Sequence, residues 1–395
     1  MRHAVIVSGA RTPVGKFGGV FKDVSAADLG AVSIKAAIDQ VGLRPEFIDE
    51  VIIGNALQAA ESGYAARLSS LRAGIPQEIP AISINRQCSS GLEAINFAAQ
   101  IIIAGEADIV VAGGTENMSQ TPFLLHYGAR FDGLRLGDST LKDGLIEGLE
   151  CPVNRYHMGV TAENVAERFG INRRDQDELA LISHKRAAKA VQNDLFKKQI
   201  ATVSVPQKRS APLIISQDEG PRGDTTMERL ATLKPAFKEG GSVTAGNSSS
   251  INDGAAAVVV MSSEKAKELD LTARLRWTTR SVAGVSPALM GTGPIPAVRK
   301  VLEKSGMHIN DIDLLELNEA FASQALHCIR ELELDIAKTN VNGSGISLGH
   351  PVGATGAILT VKLMEELERT DQQLGLVTMC VGGGQGVATI FERIG

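Results

Sequence analysis

Short runs of apolar, often β-branched residues alternate along this chain with longer stretches whose apolar positions recur at helical spacing. The runs at 5–7, 50–53, 109–112, 256–261, 314–317 and 377–380 predict strands. The stretches at 26–41, 90–104, 175–193, 296–305, 319–331 and 353–369 predict helices. Strands alternating with helices in this way place the chain in the α/β class. The segment 119–244 breaks the rhythm: it is more polar, richer in charge, and carries the turn formers Gly133, Gly137, Gly144, Pro206, Pro212 and Pro221. It reads as a long insertion lying over the core, where ligand-binding loops commonly sit.

The two halves echo each other. Asn85-Arg86-Gln87-Cys88 leads into an apolar helix, and the following strand ends in Val111-Ala112-Gly113-Gly114. Later, Gly349-His350-Pro351 leads into a helix, and the next strand ends in Cys380-Val381-Gly382-Gly383-Gly384. Each half thus sets a reactive residue at a helix entrance, then a helix, then a strand running into glycines. Two readings stand: the ordinary self-similarity of βαβ proteins, or a duplicated domain whose two helix N-termini face one site.

Composition narrows the function classes. The 395 residues are 44% hydrophobic and 22% charged with a formal net charge of −5, which suits a soluble chain of two or three domains. The acidic balance, the lack of a dense Lys/Arg block and the single Trp argue against nucleic acid as a partner. No window approaches ~18 uninterrupted apolar residues, which argues against a membrane span. The apolar stretch behind Met1 is too short for a signal peptide and reads as a first strand. Four cysteines (Cys88, Cys151, Cys328, Cys380) without a CxxC spacing predict neither a disulfide framework nor a zinc site. A reducing, cytoplasmic setting with no metal is the expectation.

Four segments could carry chemistry. Cys88 stands before Ser89-Ser90-Gly91 and an apolar helix. Unpaired amides and the positive dipole end at a helix start favour an anion, so its pKa is expected below the ~8.5 of a free thiol. The alternative is a buried structural cysteine. His350 lies among Gly345, Gly349, Gly353 and Gly356, where backbone or ligand can approach closely; it is either a base for a thiol or a satisfied histidine. Cys380 precedes a glycine run whose free N–H groups could face an oxyanion. Asn318-Glu319 follows an apolar strand and is either a helix cap or a hydrogen-bonded polar pair in the site.

Taken together, these segments resemble the thiolases. Cys-Ser-Ser-Gly at 88–91, Asn-Glu-Ala-Phe-Ala at 318–322, Gly-His-Pro-Val-Gly-Ala-Thr-Gly at 349–356 and Cys-Val-Gly-Gly-Gly at 380–384 match the four signature blocks in the family's order. Gly-Ala-Arg-Thr-Pro at 9–13, Gly-Gly-Thr-Glu-Asn-Met-Ser at 113–119, Tyr-His-Met-Gly at 156–159 and Thr-Ala-Gly-Asn-Ser-Ser at 244–249 extend the match over the whole chain. The resemblance implies the thiolase fold: two similar α/β domains in a five-layered α-β-α-β-α arrangement with an inserted loop domain. It divides the chain into 1–118 plus 245–272, an inserted 119–244, and 273–395.

The resemblance also implies roles. His350 takes the proton of Cys88, and the thiolate forms an acyl-enzyme from an acyl-CoA. Cys380 exchanges a proton with the α-carbon of the second acetyl-CoA. His350 with a water held by Asn318 makes one oxyanion site, and the backbone N–H groups of Cys88 and Gly382 make the other. That role also explains the glycine run, since a side chain there would block the approach. Arg222 aligns with an arginine near the CoA adenine, Ser249 with a serine near the pantetheine, and His157 and Met158 with acyl-pocket residues; Phe237 and Phe321 would supply apolar walls. Coenzyme A and acetyl-CoA are then substrates, with no permanently bound cofactor, and the protein is expected to be a homodimer or homotetramer, with 119–144 as the tetramer contact.

The implied activity is that of an acetyl-CoA C-acetyltransferase on short acyl chains, because Tyr156-His157-Met158-Gly159 and the motif Met-Gly-Thr-Gly-Pro-Ile-Pro at 290–296 resemble the acetoacetyl-CoA type. Asn85-Arg86-Gln87-Cys88-Ser89-Ser90-Gly91 resembles the 3-ketoacyl type, the alternative reading, and the segment 146–155, with Cys151, is a few residues longer than in the acetoacetyl-CoA type, which leaves the acyl-chain length open. A non-catalytic acyl-CoA or lipid binder is disfavoured by the presence of both cysteines and the histidine. A decarboxylating condensing enzyme is disfavoured because Cys380 stands where that class has a second histidine.

Overall fold

The computed structural model describes residues 2–134 and 136–395. Met1, at the head of the expected first strand, and Arg135, within the expected insertion, lie outside the described residues. Nine strands carry the fold: β1 (Ala4–Arg11), β2 (Glu50–Gly54), β3 (Ala81–Ile84), β4 (Ile109–Asn117), β5 (Asn252–Ser262), β6 (Leu275–Gly284), β7 (Leu314–Leu317), β8 (Leu374–Val381) and β9 (Gln385–Arg393). The main helices are α1 (Ala26–Asp39), α2 (Ala65–Arg72), α3 (Ser90–Ala104), α4 (Met158–Phe169), α5 (Arg173–Gln192), α6 (Pro294–Ser305), α7 (Ala322–Glu331) and α8 (Thr355–Arg369).

The strand order is β7-β8-β9-β6-β1-β5-β4-β2-β3, with the two-residue strand Gly15–Lys16 paired to β5 off that path. The sequence echo is a structural repeat. In the first half β1, β5 and β4 pair antiparallel in turn, then β4, β2 and β3 pair parallel. In the second half β6, β9 and β8 pair antiparallel, β8 and β7 parallel, and Leu315 bridges Thr339 in the place of the fifth strand. The half-sheets touch where Val5 and Ile6 of β1 pair with Arg276 and Leu275 of β6.

Side-chain alternation sorts the core into layers. Along β5, Ala256, Val258 and Val260 face inward with α3 and α8, while Ala257, Val259 and Met261 face outward towards α1 and α2. On the other half-sheet, Val377, Met379 and Val387 join the same inner cluster, and Leu376, Ala388 and Ile390 pack outward against α6 and α7. The result is five layers with α3 and α8 in the middle. A strand covered on both faces reads as a continuous apolar run, which is why β5 is plain in the sequence. Strands β6 and β9 are absent from the sequence-based elements. β6 (LRWTTRSVAG) is mostly half-buried and polar, and β9 follows a glycine run that resembles a chain end.

Between β4 and β5 the chain makes its long excursion, whereas the equivalent link from β8 to β9 is only Gly382-Gly383-Gly384. Within the excursion, α5 begins two residues before the predicted 175 because Asn172 caps it, accepting from Asp175 N–H at 2.9 Å. Helix α7 starts at Ala322 rather than 319. Asn318 and Glu319 do not cap it: Glu319 accepts from Ser183 Oγ at 2.6 Å and Asn340 Nδ2 at 2.9 Å, which satisfies the buried carboxylate.

The middle layer holds a buried charge pair. Lys362 of α8, with its side chain 1% exposed, donates to Glu316 of β7 at 2.9 Å and to Gly343 O at 2.6 Å. Lys362→Met leaves Glu316 without its cation and is expected to cost about 3–5 kcal/mol in urea unfolding. The double variant Lys362→Met/Glu316→Leu should recover most of that loss. A single variant with a wild-type unfolding midpoint would contradict this weight for the pair.

Candidate active site

The repeat brings the two helix entrances of the middle layer face to face. Backbone meets backbone there: a Cβ on Gly91 would lie 2.8 Å from Gly353 O, and one on Gly356 would lie 2.5 Å from Leu92 N. Only glycine permits this approach. It carries the Cys88 segment and the His350 segment into one cleft of 660 Å³.

Cys88 sits on the link from β3 to α3, with its side chain half-buried and reachable from the cleft. Gln87 before it has φ 45°, a left-handed conformation, and its N–H is held by Asn85 Oδ1 at 2.8 Å. The expected lowering of the thiol pKa does not occur. Burial raises it, against the opposing pull of the Gly382 and Cys88 N–H groups, and the nearby Glu116 carboxylate raises it further. Burial is the largest of these influences and outweighs the N–H groups that favour the anion. At rest Cys88 is therefore a thiol, which needs a base.

His350 can supply one. The histidine is buried, five residues before α8 rather than at its first turn, and burial brings its pKa down to about 4, so the imidazole is neutral near pH 7. Its main-chain N–H donates to Asn252 Oδ1 at 2.9 Å, and its Nδ1 lies 2.6 Å from Thr355 Oγ1. The Thr355 hydroxyl donates to Pro351 O at 2.9 Å, so its oxygen accepts from Nδ1–H and leaves Nε2 as the unprotonated nitrogen. Asn318 Nδ2 lies 3.5 Å from that Nε2.

Cys380, near the end of β8, and Asn318 are fully buried behind the cleft lining. The Cys380 thiol is pushed well above its ordinary pKa by burial, and further by Cys88 and Cys328 close by. It packs among Met158, Met290, Phe237 and Phe321. Gly382 lines the cleft and faces Cys88 through its N–H. A Cβ on Gly382 would lie 3.2 Å from Met158 Cε and 3.6 Å from Gln87 Cγ. The strict need is at Gly383 and Gly384, with φ of 83° and 86°, where a Cβ on Gly384 would lie 2.5 Å from Val285 O.

The remaining predicted residues line the same cleft: His157, Met158, Arg222, Phe237, Ser249 and Phe321. His157 stacks on Phe237 at 4.8 Å, and Phe237 meets Phe321 edge-on at 5.9 Å. Arg222 is exposed at the cleft, and its N–H donates to His184 Nδ1 at 3.3 Å. The 146–155 segment folds as a short helix ending at Leu149, which lines the cleft, followed by a hairpin pairing Cys151 with Tyr156. Cys151 itself is buried.

Sequence reasoning missed His184, Asn252 and Thr355. Thr355 lies inside the Gly-His-Pro-Val-Gly-Ala-Thr-Gly motif at 349–356, and its spacing from His350 is the available signal. Among the described residues no group of three or more His, Cys, Asp and Glu side chains could hold a metal ion, and no helix is long and apolar enough to cross a membrane.

Comparison with known proteins agrees with this arrangement. The family model "Thiolase, N-terminal domain" matches residues 4–264, and "Thiolase, C-terminal domain" matches residues 270–393. A probable acetyl-CoA acyltransferase of Staphylococcus epidermidis is 47% identical over 394 residues, covering 100% of this chain and 99% of that protein. The crystal structure of Bacillus anthracis acetyl-CoA acetyltransferase matches with a TM-score of 0.97 at 46% identity, over 100% of this chain and 99% of that one. Human mitochondrial 3-ketoacyl-CoA thiolase in complex with CoA matches with a TM-score of 0.95 at 42% identity, over 100% of this chain and 98% of that one. With both family halves present in order, and the Cys88 and His350 loops meeting in one cleft, this chain belongs to the thiolases and is an acyltransferase.

Proposed function

We propose that this thiolase is an acetyl-CoA C-acetyltransferase, which cleaves acetoacetyl-CoA with CoA and, in reverse, condenses two acetyl-CoA. The observation that carries the reading is the meeting of Cys88, His350 and Gly382 in one cleft with Cys380 directly behind it. His350 Nε2 takes the Cys88 proton as the sulfur attacks the thioester. Because both groups are neutral at rest, proton transfer accompanies attack rather than preceding it. One oxyanion is met by the N–H groups of Cys88 and Gly382, and the other by His350 with a water held by Asn318. Cys380 gives a proton to, or takes one from, the α-carbon of acetyl-CoA. The covalent intermediate makes the kinetics ping-pong.

Coenzyme A enters as a substrate along Arg222 and Ser249, with no permanently bound cofactor, and His157, Met158, Phe237 and Phe321 enclose the acyl end. The unit 119–244 serves as an inserted loop domain between the thiolase domains 1–118 plus 245–272 and 273–395. The protein works in the cytoplasm as a homodimer or homotetramer.

A short acyl chain is favoured by the apolar closure around Cys88, where Met118, Leu149 and Val352 pack on its cleft side. The alternative, a 3-ketoacyl-CoA thiolase of β-oxidation, draws on Asn85-Arg86-Gln87 and on the likeness to the human enzyme. CoA-dependent cleavage of acetoacetyl-, 3-ketohexanoyl- and 3-ketodecanoyl-CoA decides between them. The expected order of kcat/KM falls with chain length, by about tenfold or more from first to last. A preference for the decanoyl substrate would replace this reading with the alternative.

A further inference from the structure

Glu116 is buried one residue from the end of β4, where it joins the two loops that carry Cys88 and His350. Four donors converge on its carboxylate. Asn55 Nδ2 and Leu57 N–H reach Oε1 at 2.8 and 3.3 Å, while Ala56 N–H and Gly353 N–H both reach Oε2 at 2.9 Å. Gly353 belongs to the His350 loop, and a Cβ there would lie 2.7 Å from Glu116 Oε2, so that loop is seated directly on the carboxylate.

From the turn at 55–57 the contacts continue to the nucleophile. Ala56 O accepts from Asn85 Nδ2 at 2.9 Å, and Asn85 Oδ1 holds the N–H of the left-handed Gln87, the neighbour of Cys88. A left-handed residue other than glycine keeps that conformation only where its surroundings over-determine it. One continuous path of contacts therefore crosses from the second half of the repeat to the first.

We propose that Glu116 is a positioning residue for acyl transfer, holding the base loop and the nucleophile loop in register through Gly353 on one side and Asn85–Gln87 on the other. The inference rests on the assignment of Cys88 as nucleophile and His350 as base. Serving four N–H donors requires an acceptor-only group, which among side chains is an ionised carboxylate. Burial pushes Glu116 up to about 7 against the pull of those donors, and its charge is felt at Cys88. Glutamine at 116 would turn an NH₂ towards backbone donors. Aspartate keeps the charge but falls a methylene short.

The test compares wild type, Glu116→Gln, Glu116→Asp and Asn85→Ala in thiolysis of acetoacetyl-CoA and in acylation by acetyl-CoA read by intact mass. Glu116→Gln is expected to lower kcat about a hundredfold with KM within about threefold, the scale of a misplacement of ~1 Å. Glu116→Asp should recover about tenfold of that loss, which a purely steric role for position 116 would not predict. Asn85 is exposed, so its alanine variant keeps the fold and is expected to lose about tenfold in kcat. The double variant should lose no more than Glu116→Gln alone, since both cut one path. A folded Glu116→Gln protein within about threefold of wild-type kcat overturns the proposal. Where that variant fails to fold, Asn85→Ala with wild-type kcat overturns it instead. A wild-type protein that forms no acyl-Cys88 and cleaves no acetoacetyl-CoA removes the underlying assignment, and that outcome is read without any variant.

Discussion

Cys88→Ala is expected to abolish thiolysis and condensation together, by about 10⁴-fold or more, because nucleophile and base act as one unit. In the proposed mechanism the roles of His350 and the Gly382 N–H are both defined relative to that sulfur. His350, neutral with a pKa near 4, is a base only if a proton is offered to its Nε2. The Gly382 N–H, which already pulls on the Cys88 sulfur, stabilises an oxyanion only if a tetrahedral centre forms beside it. The variant keeps the side chains proposed to hold CoA, so CoA binding is expected to persist while turnover vanishes. Intact mass after acetyl-CoA alone should show an acetyl increment on wild type, mapped to Cys88, and none on the variant. Substantial turnover by Cys88→Ala, or an increment mapped to Cys380, would end the proposed division of labour.

The parts of the molecule that were legible in the sequence are those whose local pattern is decided by one environment. β5, covered on both faces, is a continuous apolar run, and α3, enclosed in the middle layer, spans the predicted residues 90–104. β6 and β9 were missed because each has a half-polar face or a glycine entrance that local pattern cannot tell from a loop. In the site, Cys88, His350, Cys380 and Gly382 stood out through their glycine and small-residue surroundings. Glu116 did not, since its partner Gly353 lies 237 positions away and a carboxylate after an apolar strand resembles any strand end. The thiol pKa of Cys88 was misjudged for a related reason. The helix start is visible in sequence, but burial and the nearness of Glu116 are tertiary facts, and they win.

Cys380→Ser is expected to separate the two half-reactions that Cys88→Ala abolishes together. The Cys380 thiol is fully buried and pushed well above its ordinary pKa, so its neutral form is the resting one. In the cleavage direction such a thiol is a ready proton donor to the departing acetyl-CoA carbanion. In the synthetic direction its thiolate, once formed, is a strong base held away from water. Serine fits the same space among Met158, Met290 and Phe321, but its hydroxyl is a far poorer acid and forms its anion only at much greater cost. In the proposed mechanism acylation of Cys88 uses His350 and the Gly382 N–H and does not pass through residue 380. The variant should therefore acquire the acetyl increment at a rate within about tenfold of wild type while condensation and thiolysis fall about 10²–10⁴-fold. If the increment vanishes along with turnover in a folded variant, Cys380 takes part in acylation, and the separate base assigned to Cys88 must be revised.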